Sequence, residues 1–73
     1  MLGYLENKRF KDLKSIKKEI EKHEDIKVRG VFKSESEYPK ELDNAIDVEF
    51  DNGLILTIWY LKDNANNFYI TEV

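Results

Sequence analysis

A chain of 73 residues has room for one small domain, expected to span residues 1–73, and without cysteine it forms neither a disulfide nor a thiolate metal site. Its 41% hydrophobic residues suffice for a folded core, while its longest apolar-rich run, Leu54 to Leu61, is far short of the ~20 residues of a spanning helix. The net charge of −3 conceals a division: residues 1–33 hold ten basic and six acidic side chains, residues 34–73 two basic and nine acidic.

The N-terminal MLGYLENKRF lacks the apolar core of a signal peptide, and together with the absent cysteine this gives the expectation of a cytoplasmic protein. Ten Lys against two Arg, six Asn and two Ala give the composition of an AT-rich genome. Size, acidity and lack of cysteine give the general look of short inhibitors and accessory proteins carried by phages and mobile elements, although no motif carries a family name.

The first predicted element is an amphipathic helix over residues 7–23. Phe10, Leu13, Ile16 and Ile20 recur at spacings of 3, 3 and 4 and fall on one face. Asn7 is the expected N-cap, its side chain accepting from an orphan backbone N–H. Leu2 and Leu5 extend the apolar stripe, but Arg9 would then interrupt it, which places a break near residues 6–8. On the opposite face Lys8, Lys11, Lys14, Lys18 and Lys22 form a basic stripe spanning roughly 120°. Such a stripe can follow phosphates, so nucleic-acid binding is the alternative function; a solvated helix face is the plainer reading.

Residues 26–33 change to strand period, with Ile26, Val28, Gly30 and Phe32 on the apolar side. SESEYPKELDN, residues 34–44, is an acidic connection holding the only proline and the carboxylates Glu35, Glu37 and Glu41. Next comes a hairpin of strands 45–50 and 54–61. A three-residue Asp51-Asn52-Gly53 loop, with Gly53 left-handed, pairs Phe50 with Leu54, Val48 with Leu56 and Ile46 with Ile58. It is preferred to a two-residue turn because it gathers Ile46, Val48, Phe50, Leu54, Leu56, Ile58 and Tyr60 on one side. A turn over 62–67 leads to a last strand, 68–72. The fold class is α+β: an N-terminal amphipathic helix packed on a four-stranded, mainly antiparallel sheet in α-β-β-β-β order.

One helix covers one sheet face. The other is left with Ile55, Thr57, Trp59 and Leu61 beside Asp47 and Glu49, with Tyr69, Thr71 and Val73 as further members. Apolar anchors rimmed by charge are the makings of a protein-docking surface. The competing reading places Trp59 in the core, under a slipped register or under the Leu2–Leu5 segment. Three things could cover this face: Leu2–Leu5, a second copy in a homodimer, or a foreign partner with a basic surface. The expected function is a small non-enzymatic binding module or inhibitor whose acidic half docks on that partner.

Catalytic constellations are poor. His23 is the only histidine, and with Glu19 at i, i+4 it supplies two metal ligands at most. Asp47 and Glu49 share a face, but no neighbour in the sequence sets their acidities apart. No phosphate-cradling glycine loop and no nucleophile–base pair is present, so no enzyme activity, cofactor or metal is expected.

Overall fold

The structure, a computed structural model, describes residues 1–34 and 44–73. A 3-10 turn at Gly3–Leu5 precedes a two-residue strand β1 (Arg9–Phe10) and the helix α1 (Leu13–His23). Four longer strands follow: β2 (Val28–Lys33), β3 (Ala45–Phe50), β4 (Ile55–Lys62) and β5 (Phe68–Glu72). All pairings are antiparallel, and the five strands run in the order β1-β5-β4-β3-β2. The α+β class is as expected; the strand count is five rather than four.

The extra strand comes from the residues expected to open the helix. Asn7 does not cap it. It is left-handed, with φ 66°, and its N–H donates to the Ile70 carbonyl at 2.8 Å. The Ile70 N–H donates in turn to the Lys8 carbonyl at 2.9 Å, so the chain adds to the edge of β5 before any helix begins. Asp12 takes the capping role from extended backbone, its carboxylate accepting from the Ser15 N–H at 2.8 Å and the Ser15 hydroxyl at 2.7 Å. Those bonds hold the Asp12 carboxyl below its usual range.

The core lies on one side of the sheet. Ile16 and Ile20 of α1 and Leu2 and Leu5 of the N-terminal turn pack with Val28, Ile46, Val48, Phe50, Ile58, Tyr60, Phe68 and Ile70. The β3–β4 register matches the three-residue loop: Val48 faces Leu56 and Ile46 faces Ile58. Gly53 has φ +90°, where a side chain would be strained, and the loop closes through Phe50 N–H to Leu54 O at 2.9 Å. Leu54, expected on the core face, is exposed beyond the end of β4.

Two bulges alter the predicted faces. In β2, Val28 stands opposite Phe50 and Gly30 opposite Glu49, which leaves Arg29 as the extra residue. Beyond it the alternation inverts. Val31 turns toward the core, and Gly30 and Phe32, expected there, turn away from it. In β5 the register shifts between Trp59 and Tyr60, so Glu72, not Thr71, stands opposite Trp59.

Candidate functional site

The candidate site is the sheet face turned away from the helix. Along β4 it presents Ile55, Thr57, Trp59 and Leu61; along β3, Ala45, Asp47 and Glu49. Phe32 joins from β2 opposite Asp47, Glu72 from β5 opposite Trp59, and Tyr69 from β5 opposite Leu61. Phe32 is 45% exposed, Ile55 54%, Trp59 37% and Leu61 56%. Trp59 is therefore not a core residue. Leu2 and Leu5 are buried on the helix side and do not cover it.

The polar members are fixed by particular bonds. Asp47 is half-buried and accepts from the Thr57 hydroxyl at 2.8 Å, directly across the β3–β4 ladder. Glu49 accepts from Arg29 at 3.0 Å; the guanidinium also donates to the Asp51 carbonyl at 3.0 Å. The residue that makes the β2 bulge thus bridges to the hairpin loop. Asp47 and Glu49 take separate partners, not each other. At the far end of the face the Arg9 guanidinium stacks over Tyr69, 4.4 Å from the ring centre, and pairs with Asp63 at 3.2 Å. Asp63 also accepts from the Asn67 and Ala65 backbone N–H groups at 2.8 and 2.9 Å. The Asn67 backbone bond is the main force that holds the Asp63 carboxyl below its usual pKa.

Sequence reasoning placed Ile55, Trp59, Leu61, Asp47 and Glu49 on one face, and the structure brings them together. It missed Phe32 and Glu72, both repositioned by bulges. Gly30 was a usable signal for the first: a glycine inside a strand marks a bulge or a close approach, and here the Phe32 ring lies 3.1 Å from where a Gly30 Cβ would stand. The β5 bulge has no comparable mark. Glu35, Glu37 and Glu41 lie outside the described residues.

The lysine stripe is not one helix face. Lys8 and Lys11 precede α1. Lys8 donates to Glu19 at 2.8 Å, and Lys22 lies 3.5 Å from the same carboxylate. That cluster, led by the Lys8 hydrogen bond, holds the Glu19 carboxyl low. Lys14 and Lys18 are exposed on the helix. His23 Nε2 is 3.7 Å from Glu19, and its ring stacks on Tyr4 at 4.1 Å between centres. Among the described residues no group of three or more His, Cys, Asp or Glu is placed to hold a metal, and no helix is long and apolar enough to cross a membrane. A depression of about 290 Å³ lined by Glu21, Glu24, Asp25, Ile26 and Lys27 is open to solvent and away from the sheet face.

Comparison with known proteins returns no family model, no curated protein and no solved structure that matches this chain.

Proposed function

We infer that the chain is a protein-docking module that works through the outer face of its sheet. One observation carries this reading. Phe32, Ile55, Trp59 and Leu61 are exposed together among Asp47, Glu49 and Glu72, while the helix and the N-terminal turn are both spent on the other face. Large apolar side chains gathered on one face with a charged rim are the makings of a contact surface. The nine acidic and two basic residues of 34–73 favour a basic partner and an association that weakens with salt.

The experiment is affinity capture from the source cell at low and moderate salt with three baits. Wild type is compared with Ile55→Lys/Leu61→Lys, which charges the outer face without touching the core, and with Lys14→Glu/Lys18→Glu, which charges the helix. A partner lost only with the outer-face bait supports docking through the sheet. A partner that ignores the outer-face substitutions removes the reading. A DNA or RNA gel shift abolished by the helix substitutions would replace it with the nucleic-acid function suggested by the lysines.

A further inference from the structure

We propose that the outer face recognises an arginine of a partner polypeptide, whose guanidinium lands on Asp47 between Phe32 and Trp59 while its apolar neighbours rest on Ile55 and Leu61. This deepens the docking reading and rests on it. Asp47 lies on β3, with Phe32 across from it on β2, Thr57 across from it on β4, and Trp59 two pairs further along on β4, the next position on the same face. Its carboxylate is half-buried, accepts the Thr57 hydroxyl on Oδ1, and has no cation within ion-pair distance among the described residues. On the sheet the neighbouring carboxylates Glu49 and Asp63 are paired, with Arg29 and Arg9. Glu72, exposed and directly opposite Trp59, adds a second negative charge with no described cation beside it.

The same face already shows the chemistry. Arg9 sits over the Tyr69 ring and pairs with Asp63, a guanidinium held by a ring and a carboxylate together. Phe32, Trp59 and Asp47 supply the ring and carboxylate components at the other end of the sheet. Arginine fits better than lysine because its planar group stacks and donates in the same geometry.

A second copy of the chain is the poorer occupant. Its two arginines, Arg9 and Arg29, are both engaged, and face-to-face pairing would set Asp47, Glu49 and Glu72 against carboxylates. A short segment with one cation and a few apolar side chains meets both the half-buried Asp47 carboxylate and the exposed anchors Ile55 and Leu61.

The test selects a random peptide-display library on the intact protein, counter-selected on Leu61→Lys. Enriched peptides are expected to carry arginine beside apolar residues. The leading peptide, synthesised, should lose about tenfold in affinity when its arginine becomes citrulline, the neutral isostere. Asp47→Asn should cause a similar loss. It keeps an oxygen for Thr57, and a melting curve confirms its fold. The two losses should not multiply when combined, because they remove one contact. Peptides that need Leu61 but ignore both citrulline and Asp47→Asn would overturn the arginine proposal and leave the docking face standing. Enrichment indifferent to Leu61→Lys, or none above the counter-selection, would overturn both. A wild-type dimer in sedimentation that Leu61→Lys dissolves would assign the face to a second copy and overturn the arginine proposal.

Discussion

Ile55 and Ile58 share a residue type and a strand, and they differ in which face they serve. Ile58 is fully buried among Ile46, Tyr60 and Ile70, whereas Ile55 is 54% exposed. Truncating Ile58 to alanine removes its whole side-chain burial and leaves a cavity, a loss of about 3 kcal/mol. Truncating Ile55 removes less than half that burial and opens no cavity, a loss of about 1 kcal/mol, part of it β-propensity. A chain this size has a total stability of roughly 4–11 kcal/mol, so Ile58→Ala stands near the limit of folding and Ile55→Ala well inside it. With a urea slope of about 1 kcal/mol per molar, the midpoints should fall by about 3 M and 1 M. If Ile58→Ala is unfolded from the start, Ile58→Val keeps the comparison, with a loss of about 1 kcal/mol. Equal losses at Ile55 and Ile58 to alanine would refute the reasoning, for they would mean that the outer face is covered in solution. A loss at Ile55 that grew with protein concentration would identify a second copy as the cover.

Asp12, Glu19 and Asp63 all have carboxyls held below their ordinary values by bonds made only in the fold. Their stabilisation is present above the ordinary range of 3.8 to 4.5 and is lost as the pH falls through the lowered values. Through these three groups urea midpoints should decline on the acid side, less steeply for Asp63→Asn. Tyr4 gives the opposite limb. Burial, then the nearby Glu24 carboxylate, pushes its phenol from 10.0 up to about 12, and among the described residues its hydroxyl has no partner in hydrogen-bond geometry. Its contribution holds below pH 10 and is lost as the pH rises through about 12. An ultraviolet titration should show a late phenol that Tyr4→Phe removes, with no loss of stability at neutral pH. Gly30→Ala sets a Cβ 3.1 Å from the Phe32 ring, so it should destabilise the wild type more than it destabilises Phe32→Ala, by about 0.5 kcal/mol or more in a double-mutant cycle.

The sequence was most legible where one rule acted alone. The hairpin register followed from turn chemistry and matched apolar faces, and Ile46, Val48 and Phe50 are buried as that pattern requires. The helix start was misread because local and tertiary demands compete at residues 7–12. Phe10 keeps the spacing of the helical stripe, but it pairs with Phe68 in the sheet. Asp12 and Ser15 carry a capping pattern that shorter-range reasoning at Asn7 overlooked. Phe32 was misplaced because strict alternation from Val28 assumes an unbroken ladder. One extra residue at Arg29 reverses every side chain beyond it. At the site, the contribution of β4 was readable from its own excess of apolar residues, whereas Phe32 and Glu72 arrive through bulges set by neighbouring strands.

The Arg29 bulge also explains why the outer face is a surface of the fold and not an accident of one strand. A bulge leaves a residue out of the ladder, and this one turns an aromatic ring from the core side toward solvent, both unfavourable for an isolated chain. The compensation within the described residues is Val31, which packs partly buried against the core in place of Phe32, with the exposed contacts of Arg29 to Glu49 and to the Asp51 carbonyl and of the Phe32 ring over Gly30. Exposed ion pairs contribute little to stability. A straight β2 would have placed Phe32 beside the core and Val31 on the outer face, with no ring on the far side of Asp47. The bulge sets that ring beside the carboxylate. Its geometric consequence reaches both faces, Val31 toward the core and Phe32 toward Asp47. A variant lacking Arg29 removes the extra residue and leaves Val28 and Val31 on the core side and Gly30 and Phe32 on the outer side by simple alternation, so Phe32 stays opposite Asp47. It should keep whatever binds at Asp47 and lose only the Arg29 bonds to Glu49 and the Asp51 carbonyl, a small change in urea midpoint. Binding lost from a variant that still melts cooperatively would show that the outer face depends on the bulge itself and not on the side that Phe32 takes.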